Sequence, residues 1–293
     1  MTDWWSQIFN FSNYGDLLVL LQNSIIAGAV LGVVGGLIGV FVMSRDMAFA
    51  VHGISELSFA GASAGLLFGV GVVEGSIIGS LVAAALIGIL GTRARDRNSI
   101  IAVLMPFGLG LGILCLALYP GRSANKFGLL TGQIVAVDDP RLNSLVTISI
   151  VVVAGLLVVW RPLMFSSVDP DVASARGVPT RFLSLYFMLL LGLAVAVSVQ
   201  IVGSLLVLSI LVTPAAAALR LSSSPVIVPL LSTIFAVFSL VGGIMLALGG
   251  SLPISPYVTT ISFLIYVACR IIAAVRHRRG NTARAPEPLS ARR

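Results

Sequence analysis

The sequence predicts an all-α polytopic membrane protein whose chain crosses a lipid bilayer eight or nine times. Hydrophobic residues form 58% of its 293 residues and charged residues only 10%, whereas soluble domains carry about 25% charged residues. The mean hydropathy is +1.07. Apolar runs of about 17–25 residues follow one another, and each is long enough to cross a hydrocarbon core as a helix. They are too long and too continuously apolar for the strands of a membrane barrel.

The apolar runs divide the chain into one transmembrane domain and two short flanking segments. Nine crossings are predicted, at about 17–43, 50–73, 76–91, 100–118, 143–160, 182–199, 201–219, 226–248 and 258–275. Residues 1–16 are aromatic-rich and suit an N-terminal interfacial segment before the domain at 17–275. Residues 276–293 are basic and contain proline, which predicts a disordered cytoplasmic tail. The count falls to eight if the first segment is re-entrant or the N-terminus folds back.

The placement of basic residues predicts the orientation. Those assigned to the cytoplasm are Arg93, Arg95, Arg97, Arg161, Arg176, Arg181, Arg220, Arg276, Arg278 and Arg279. Only Arg122, Lys126 and Arg141 then remain in outer loops. The positive-inside rule puts the C-terminus in the cytoplasm and, for nine crossings, the N-terminus outside. The net charge of +7 therefore reflects orientation signals and does not indicate binding to nucleic acid.

Glycines recur at four-residue spacing in the first three apolar segments. The three sets are Gly28, Gly32 and Gly36; Gly61, Gly65 and Gly69; and Gly71, Gly75 and Gly79. Such ridges let helix backbones approach closely, either within one chain or across a dimer.

A short surface helix is predicted between the fifth and sixth segments, in the stretch DPDVASARGVP. Asp169 suits the N-cap, Pro170 the first helical position and Arg176 the last turn. Gly177 can end the helix in a left-handed conformation, and Pro179 prevents its continuation. A helix so well capped in a cytoplasmic loop suits docking to a soluble partner, with a plain connector as the alternative.

His52 and Glu56 are the candidate metal ligands. They are four residues apart, so their side chains project from one face of a helix. Ionisable groups inside a membrane are costly and by default face a cavity or a pathway. An imidazole with a carboxylate is suitable for Zn²⁺, Mn²⁺ or Fe²⁺. The alternative is that both residues lie in the headgroup region near Arg45 and hydrogen-bond only to each other.

Four segments resemble the zinc/manganese ABC permease family, over about residues 20–275. VGSLLVLSILVTPAAAALRL (202–221) resembles its most recognisable helix, and DPDVASARGVPTRF resembles its cytoplasmic coupling helix. FGLLTGQIVAV (127–137) resembles an outer Phe-Gly-x-Leu element. RDMAFAVHGISELSFAGASAG (45–65) resembles a block that usually reads Asp-x-x-x-His. Here His52 precedes Glu56, so the donor types are exchanged while an oxygen and an imidazole are kept.

The resemblance implies a type II ABC importer-like fold and the permease subunit of an ATP-driven importer of divalent metal ions. It implies a homodimer in the bacterial cytoplasmic membrane, two cytoplasmic ABC ATPase subunits and an extracytoplasmic metal-binding protein. His52 and Glu56 would bind the transported ion, with zinc preferred to manganese because imidazole is the softer donor. No permanently bound cofactor is expected.

The contacts with partner proteins are also predicted by residue. The ATPases would contact a coupling helix at about 169–177, through Asp169, Pro170, Asp171, Ala173, Arg176 and Gly177. The binding protein would dock on Arg122, Lys126 and Arg141. The sequence has no P-loop, so we expect ATP hydrolysis on a separate chain and no catalytic residues here.

Three other functions remain open at this stage. A permease for a metal chelate such as haem, a siderophore or cobalamin would share the architecture with a wider pathway. A proton-coupled secondary metal carrier, with Glu56 as the proton site, would need no ATPase and would leave the capped loop helix without a role. A structural scaffold would leave the pair of His52 and Glu56 unexplained.

Overall fold

The computed structural model describes residues 21–91, 94–120, 137–248 and 254–282, in which every regular element is an α-helix. The helices are α1 (Gln22–Ser44), α2 (Ala48–Phe68), α3 (Val72–Leu90), α4 (Ala94–Leu118), α5 (Asp139–Val158), α6 (Trp160–Val168), α7 (Pro170–Ala175), α8 (Thr180–Val202), α9 (Ser204–Leu211), α10 (Thr213–Leu221), α11 (Ile227–Ala247) and α12 (Ile254–Thr282). The predicted interfacial segment 1–16 lies outside these residues. So does most of the predicted tail, although α12 continues to Thr282.

The prediction of an all-helical membrane protein is confirmed, but the predicted number of crossings is too high. In the part of the chain that the structure describes, seven helices are long and apolar enough to cross a membrane: α1, α3, α4, α5, α8, α11 and α12. The helix α2 has 21 residues, enough for about 30 Å, but its hydropathy is lowered by His52, Glu56 and three serines. The predicted crossings at 50–73, which is α2, and at 201–219 are therefore the two that are not among these seven.

The predicted crossing at 201–219 is broken into two short helices. The helix α8 continues to Val202, and Gly203 then takes a φ of 80° that ends it. The helix α9 ends at Leu211, and Pro214 lies in the first turn of α10, where its missing N–H costs no hydrogen bond. At 8 and 9 residues, each helix spans only about 12–14 Å and cannot cross alone.

The helices α1 and α8 form the centre of the bundle. Their most apolar stretches are 67% buried, compared with 17% for α12, which lies at the edge. The helix α1 packs along α11, and α8 packs along α3. The helix α2 packs between α3 and α4. The candidate metal ligands therefore lie on a helix that has apolar neighbours on two sides.

The glycine ridges allow close packing within the chain. At Gly32, a Cβ atom would lie 2.7 Å from the Cα atom of Val237 in α11. At Gly61, it would overlap the carbonyl oxygen of Gly75 in α3. Such contacts place helix backbones against each other, which only glycine permits. At these positions the ridges are filled by the chain's own helices.

We expect Gly61→Ala to destabilise the contact between α2 and α3, because overpacking typically costs about 1–3 kcal/mol. The measurement is the Tm of the detergent-solubilised protein. Gly110→Ala is the matched control, since no atom lies within 4 Å of the new carbon there. Its Tm should stay the same or rise, because alanine is the better helix former. Equal Tm values for the two variants would contradict the packing argument.

Candidate functional site

A tight corner at residues 45–47 joins α1 to the helix that carries the candidate metal ligands. Asp46 takes a left-handed φ of 54°, a region that aspartate tolerates better than most residues. The Met47 amide donates to the Val42 carbonyl at 2.8 Å, and the Asp46 amide donates to the Met43 carbonyl at 3.3 Å. This pattern is a Schellman ending. It satisfies the last carbonyls of α1 and fixes the point at which α2 begins.

The structure brings His52 and Glu56 together on one face of α2. His52 Nε2 lies 3.8 Å from Glu56 Oε1, which is too long for a hydrogen bond between them. Their other polar atoms, His52 Nδ1 and Glu56 Oε2, are buried without a hydrogen-bond partner. Two donors that are each about 2.1 Å from a zinc ion lie about 3–4 Å apart. The pair is therefore spaced as two neighbouring ligands of one metal ion would be.

The burial of the two side chains differs. Glu56 is only 4% exposed, whereas the side chain of His52 is 27% exposed. A buried carboxylate without a partner is unfavourable, so Glu56 favours a bound cation or a proton. The more exposed imidazole can meet an ion that arrives from outside the packed bundle. The arrangement can hold a cation at the boundary between buried and accessible space.

Serines that the sequence analysis did not identify fix α2 against its neighbours. Ser55 Oγ donates to the Ser204 carbonyl at the start of α9 at 3.0 Å. The hydroxyls of Ser58 and Ser76 lie 2.8 Å apart, and Ser76 donates to the Ala196 carbonyl in α8 at 3.2 Å. The proximity of Ser55 and Ser58 to the pair in sequence was the available signal. The bonds of Ser55 and Ser58 hold α2 to α9 and α3, and the bond of Ser76 holds α3 in turn to α8.

One chain supplies few metal donors. Among the described residues, no group of three or more His, Cys, Asp or Glu side chains could hold a metal. Protein zinc sites typically have at least three protein ligands. An apolar groove of about 370 Å³ runs beside α2, and neither His52 nor Glu56 lines it. On its own the pair therefore offers two donor side chains, fewer than such a site needs, and the groove next to it is a surface for apolar contact.

The structure contains the predicted short helix α7 between α6 and α8, with the predicted caps. Asp169 Oδ1 accepts from the amides of Asp171 at 3.1 Å and Val172 at 3.0 Å. Pro170 is the first helical residue, and Gly177 has a φ of 82°. Arg176 lies at the C-cap, one residue after the predicted last turn.

Only one residue of α7 is buried. Ala173 is fully buried against the bundle, while the other residues of α7, and Arg176 and Gly177 after it, are exposed. The helix α6 ends at Val168, so a single residue, Asp169, separates it from α7. The helix α7 is therefore a surface element with one anchor and an open outer face.

The predicted docking residues fall in two groups. Arg122 and Lys126 lie outside the described residues. Arg141 lies in the first turn of α5, and its Nε atom is 3.9 Å from Asp138 Oδ2. Both side chains of this pair are exposed, and such surface pairs contribute little to stability.

Comparison with known proteins gives a family and relatives for most of the chain. Residues 18–273 match the ABC 3 transport family. The manganese transport system membrane protein MntC of Halalkalibacterium halodurans is 30% identical over 225 residues, which cover 76% of this chain and 77% of that protein. The high-affinity zinc uptake system membrane protein ZnuB of Haemophilus influenzae is 24% identical over 249 residues, which cover 85% of this chain and 95% of that protein.

A solved structure has the same fold. A chain of PsaBC from Streptococcus pneumoniae, in complex with a Fab, superposes with a TM-score of 0.79 and 25% sequence identity. The match covers 88% of this chain and 95% of that chain. The helical arrangement described above is therefore also found in that solved complex.

Proposed function

We propose that this chain, which belongs to the ABC 3 transport family, is the permease subunit of an ATP-driven importer of zinc or manganese ions. The observation that carries the proposal is the pair of His52 and Glu56, with donor atoms 3.8 Å apart on a helix inside an apolar bundle. Relatives named for manganese transport and zinc uptake support a divalent metal as the cargo. The preference for zinc stays a prediction from the imidazole donor.

The transported ion would be held weakly and briefly by this pair. One imidazole and one carboxylate leave the shell incomplete, so water or further protein donors occupy the remaining positions. A carboxylate and an imidazole accept both zinc and manganese. An incomplete shell also favours release, which a transporter needs and a permanent metal site does not.

A second copy of the chain would complete the pathway. Two copies would bring four donors to the interface, the number that zinc takes in a closed site. The apolar groove beside α2, lined by residues of α2, α3 and α4 such as Leu57, Ile78 and Phe107, supports this arrangement. Filling it with a second subunit would remove apolar surface and bring the two α2 helices together.

A separate ATPase would act on the coupling helix α7. The sequence has no P-loop of its own, and α7 presents an exposed, well-capped surface with one buried anchor. Isolated helices shorter than about 12 residues are marginal in water, so a partner surface would fix the position of α7. The coupling residues are Asp169, Pro170, Asp171, Ala173, Arg176 and Gly177.

The remaining proposals concern the outer partner and the orientation. Arg122 and Lys126, with Arg141, would face an extracytoplasmic metal-binding protein that carries acidic groups. The C-terminus would lie in the cytoplasm of a bacterial cell, because most basic loop residues then lie on that side. The support is the charge distribution of the sequence and the bacterial source of the relatives.

We expect His52→Ala and Glu56→Ala each to lower metal uptake by about tenfold or more, since even loss of an outer-shell partner commonly costs 10–100-fold. The measurement is uptake of Zn²⁺ and of Mn²⁺ by proteoliposomes that contain the complete transporter, with and without ATP. Glu74→Gln is the control, because Glu74 is an exposed carboxylate on the neighbouring helix α3. Uptake within twofold of wild type for both alanine variants would exclude the metal site. Uptake that follows a proton gradient without ATP would favour a secondary carrier.

We expect Gly177→Val to uncouple the transporter more severely than Asp169→Ala. A β-branched residue fits poorly at a positive φ, while loss of an N-cap costs only about 0.5–2 kcal/mol. The measurements are co-purification of the ATPase and transport-stimulated ATP hydrolysis. Gly69→Val is the matched control, because Gly69 also has a positive φ of 72° and no atom within 4 Å of a new Cβ, but lies at the far end of α2. Full association and coupling in Gly177→Val would leave α7 as a connector only.

We expect reversing the charge of Arg122 and Lys126 together, both to Glu, to weaken capture of the binding protein and to flatten the salt dependence of its affinity. Electrostatic complementarity of this kind orients docking and is screened by salt. The measurement is the Kd at low and at physiological ionic strength. Arg220→Glu, on the predicted cytoplasmic side, is the control. An unchanged Kd at low salt would mean that the two residues contact lipid phosphates instead.

A further inference from the structure

Arg45 connects the corner before α2 to the helix before α7. Its Nη1 atom donates to the hydroxyl oxygens of Ser166 and Ser167, each at 3.3 Å. Both hydroxyls donate in turn to the Leu163 carbonyl, at 3.0 and 2.6 Å, so their lone pairs face the guanidinium group. Ser166 is only 2% exposed. The contact is therefore part of the packed structure and not a chance surface encounter.

Aromatic rings reinforce the same junction. Phe41, one turn before Arg45, packs edge-on against Trp160 with ring centroids 4.9 Å apart. The Arg45 Cζ atom lies 5.8 Å from the ring centroid of Phe187 in α8. Burial first, and the charge of Arg97 second, lower the pKa of the Arg45 guanidinium from its ordinary value. The half-buried side chain has thus given up part of its contact with water and gains these partners instead.

The other side of the corner is held by α4. The Nη2 atom of Arg97 donates to the carbonyl oxygens of Arg45 at 3.4 Å and Asp46 at 3.2 Å. The helix α4 also packs along α2. The corner therefore has a charged hydrogen bond on each side. It reaches α6 through the side chain of Arg45 and α4 through the side chain of Arg97.

We infer that Arg45 is a positioning residue that transmits movement of the coupling helix α7 to the metal-site helix α2. This inference rests on the proposed function, because it requires a metal site on α2 and an ATPase contact at α7. The connection is short at both ends. Only Asp169 separates α6 from α7, and His52 lies in the second turn of α2 after the corner.

The geometry determines what the connection does. A displacement of α7 carries the last turn of α6, and with it Ser166 and Ser167. The Arg45 guanidinium moves with the two hydroxyls and displaces the corner at residues 45–47. The corner moves as a unit because the Schellman hydrogen bonds make it rigid. The start of α2 then moves relative to α4, which changes how His52 and Glu56 face the pathway. A purely structural role would instead hold α1 against α6 without affecting the metal ligands.

The test compares Arg45→Met with the double variant Ser166→Ala/Ser167→Ala and with the combination of all three changes. The assay uses the complete transporter in proteoliposomes and measures the ratio of transport-stimulated to basal ATP hydrolysis. Equilibrium binding of Zn²⁺ and Mn²⁺ to each variant and co-purification of the ATPase are measured alongside. Arg161→Met is the matched control, because Arg161 is an exposed arginine of the same helix α6.

We expect Arg45→Met and the double serine variant each to lower the stimulation ratio about fivefold or more, with metal binding and ATPase association retained. The triple variant should be no worse than Arg45→Met, because residues that act through one contact do not add. Arg161→Met should behave as wild type. Wild-type stimulation in Arg45→Met, or effects that multiply in the triple variant, would overturn the inference.

Two further outcomes have separate meanings. If Arg45→Met fails to assemble, the double serine variant decides, since it removes only two hydroxyl groups, and wild-type stimulation in it would overturn the inference. If the wild-type complex takes up no metal with ATP, the proposed function itself fails. If the wild-type complex shows ATP-driven uptake and the double serine variant keeps the wild-type stimulation ratio, the proposed function stands and only the role of Arg45 is overturned.

Discussion

One constraint governs the packing of α2: it must be stable enough to hold the carboxylate of Glu56 buried inside an apolar helical bundle. Glu56 is almost fully buried, and one of its oxygens has no partner. Such a group persists only where the surrounding structure is stable enough to hold it. The direct backbone contact of Gly61 with α3 and the serine hydrogen bonds from α2 to α3 and α9 supply that stability. The helix is polar around His52 and Glu56 and tightly packed at Gly61.

The pair of His52 and Glu56 and the proposed coupling helix α7 are both connected to the same corner of the structure. The corner at residues 45–47 contacts α6 on one side and α4 on the other, and α6 is followed almost at once by α7. The helix α2, which carries His52 and Glu56, starts at the same corner. Under the proposed function, a displacement of α7 needs only this one hydrogen-bonded junction to reach His52 and Glu56, and long-range deformation of the membrane helices is unnecessary.

Local features of the fold and the site could be predicted from the sequence, but long-range ones could not. The caps of α7 follow from Asp169, Pro170 and Gly177, whose preferences are local, and the shared face of His52 and Glu56 follows from helical spacing. The predicted segments 182–199 and 201–219 meet at residue 200, whereas the helix ends at Gly203, because the apolar pattern continues across the break. The contacts of Arg45 with α6 join residues more than 120 positions apart, and no local pattern encodes them.

The low hydropathy of α2 has a consequence for biogenesis. A single charged residue at the centre of a membrane helix opposes insertion by about 2.5–3.5 kcal/mol, and α2 adds a histidine and three serines to its glutamate. We expect the isolated segment to be a poor substrate for the translocon. The three-residue corner joins it to α1, whose hydropathy of 2.6 is the highest of the candidate crossings. The two helices can then enter the bilayer as one hairpin, so that insertion of the apolar helix α1 also inserts α2.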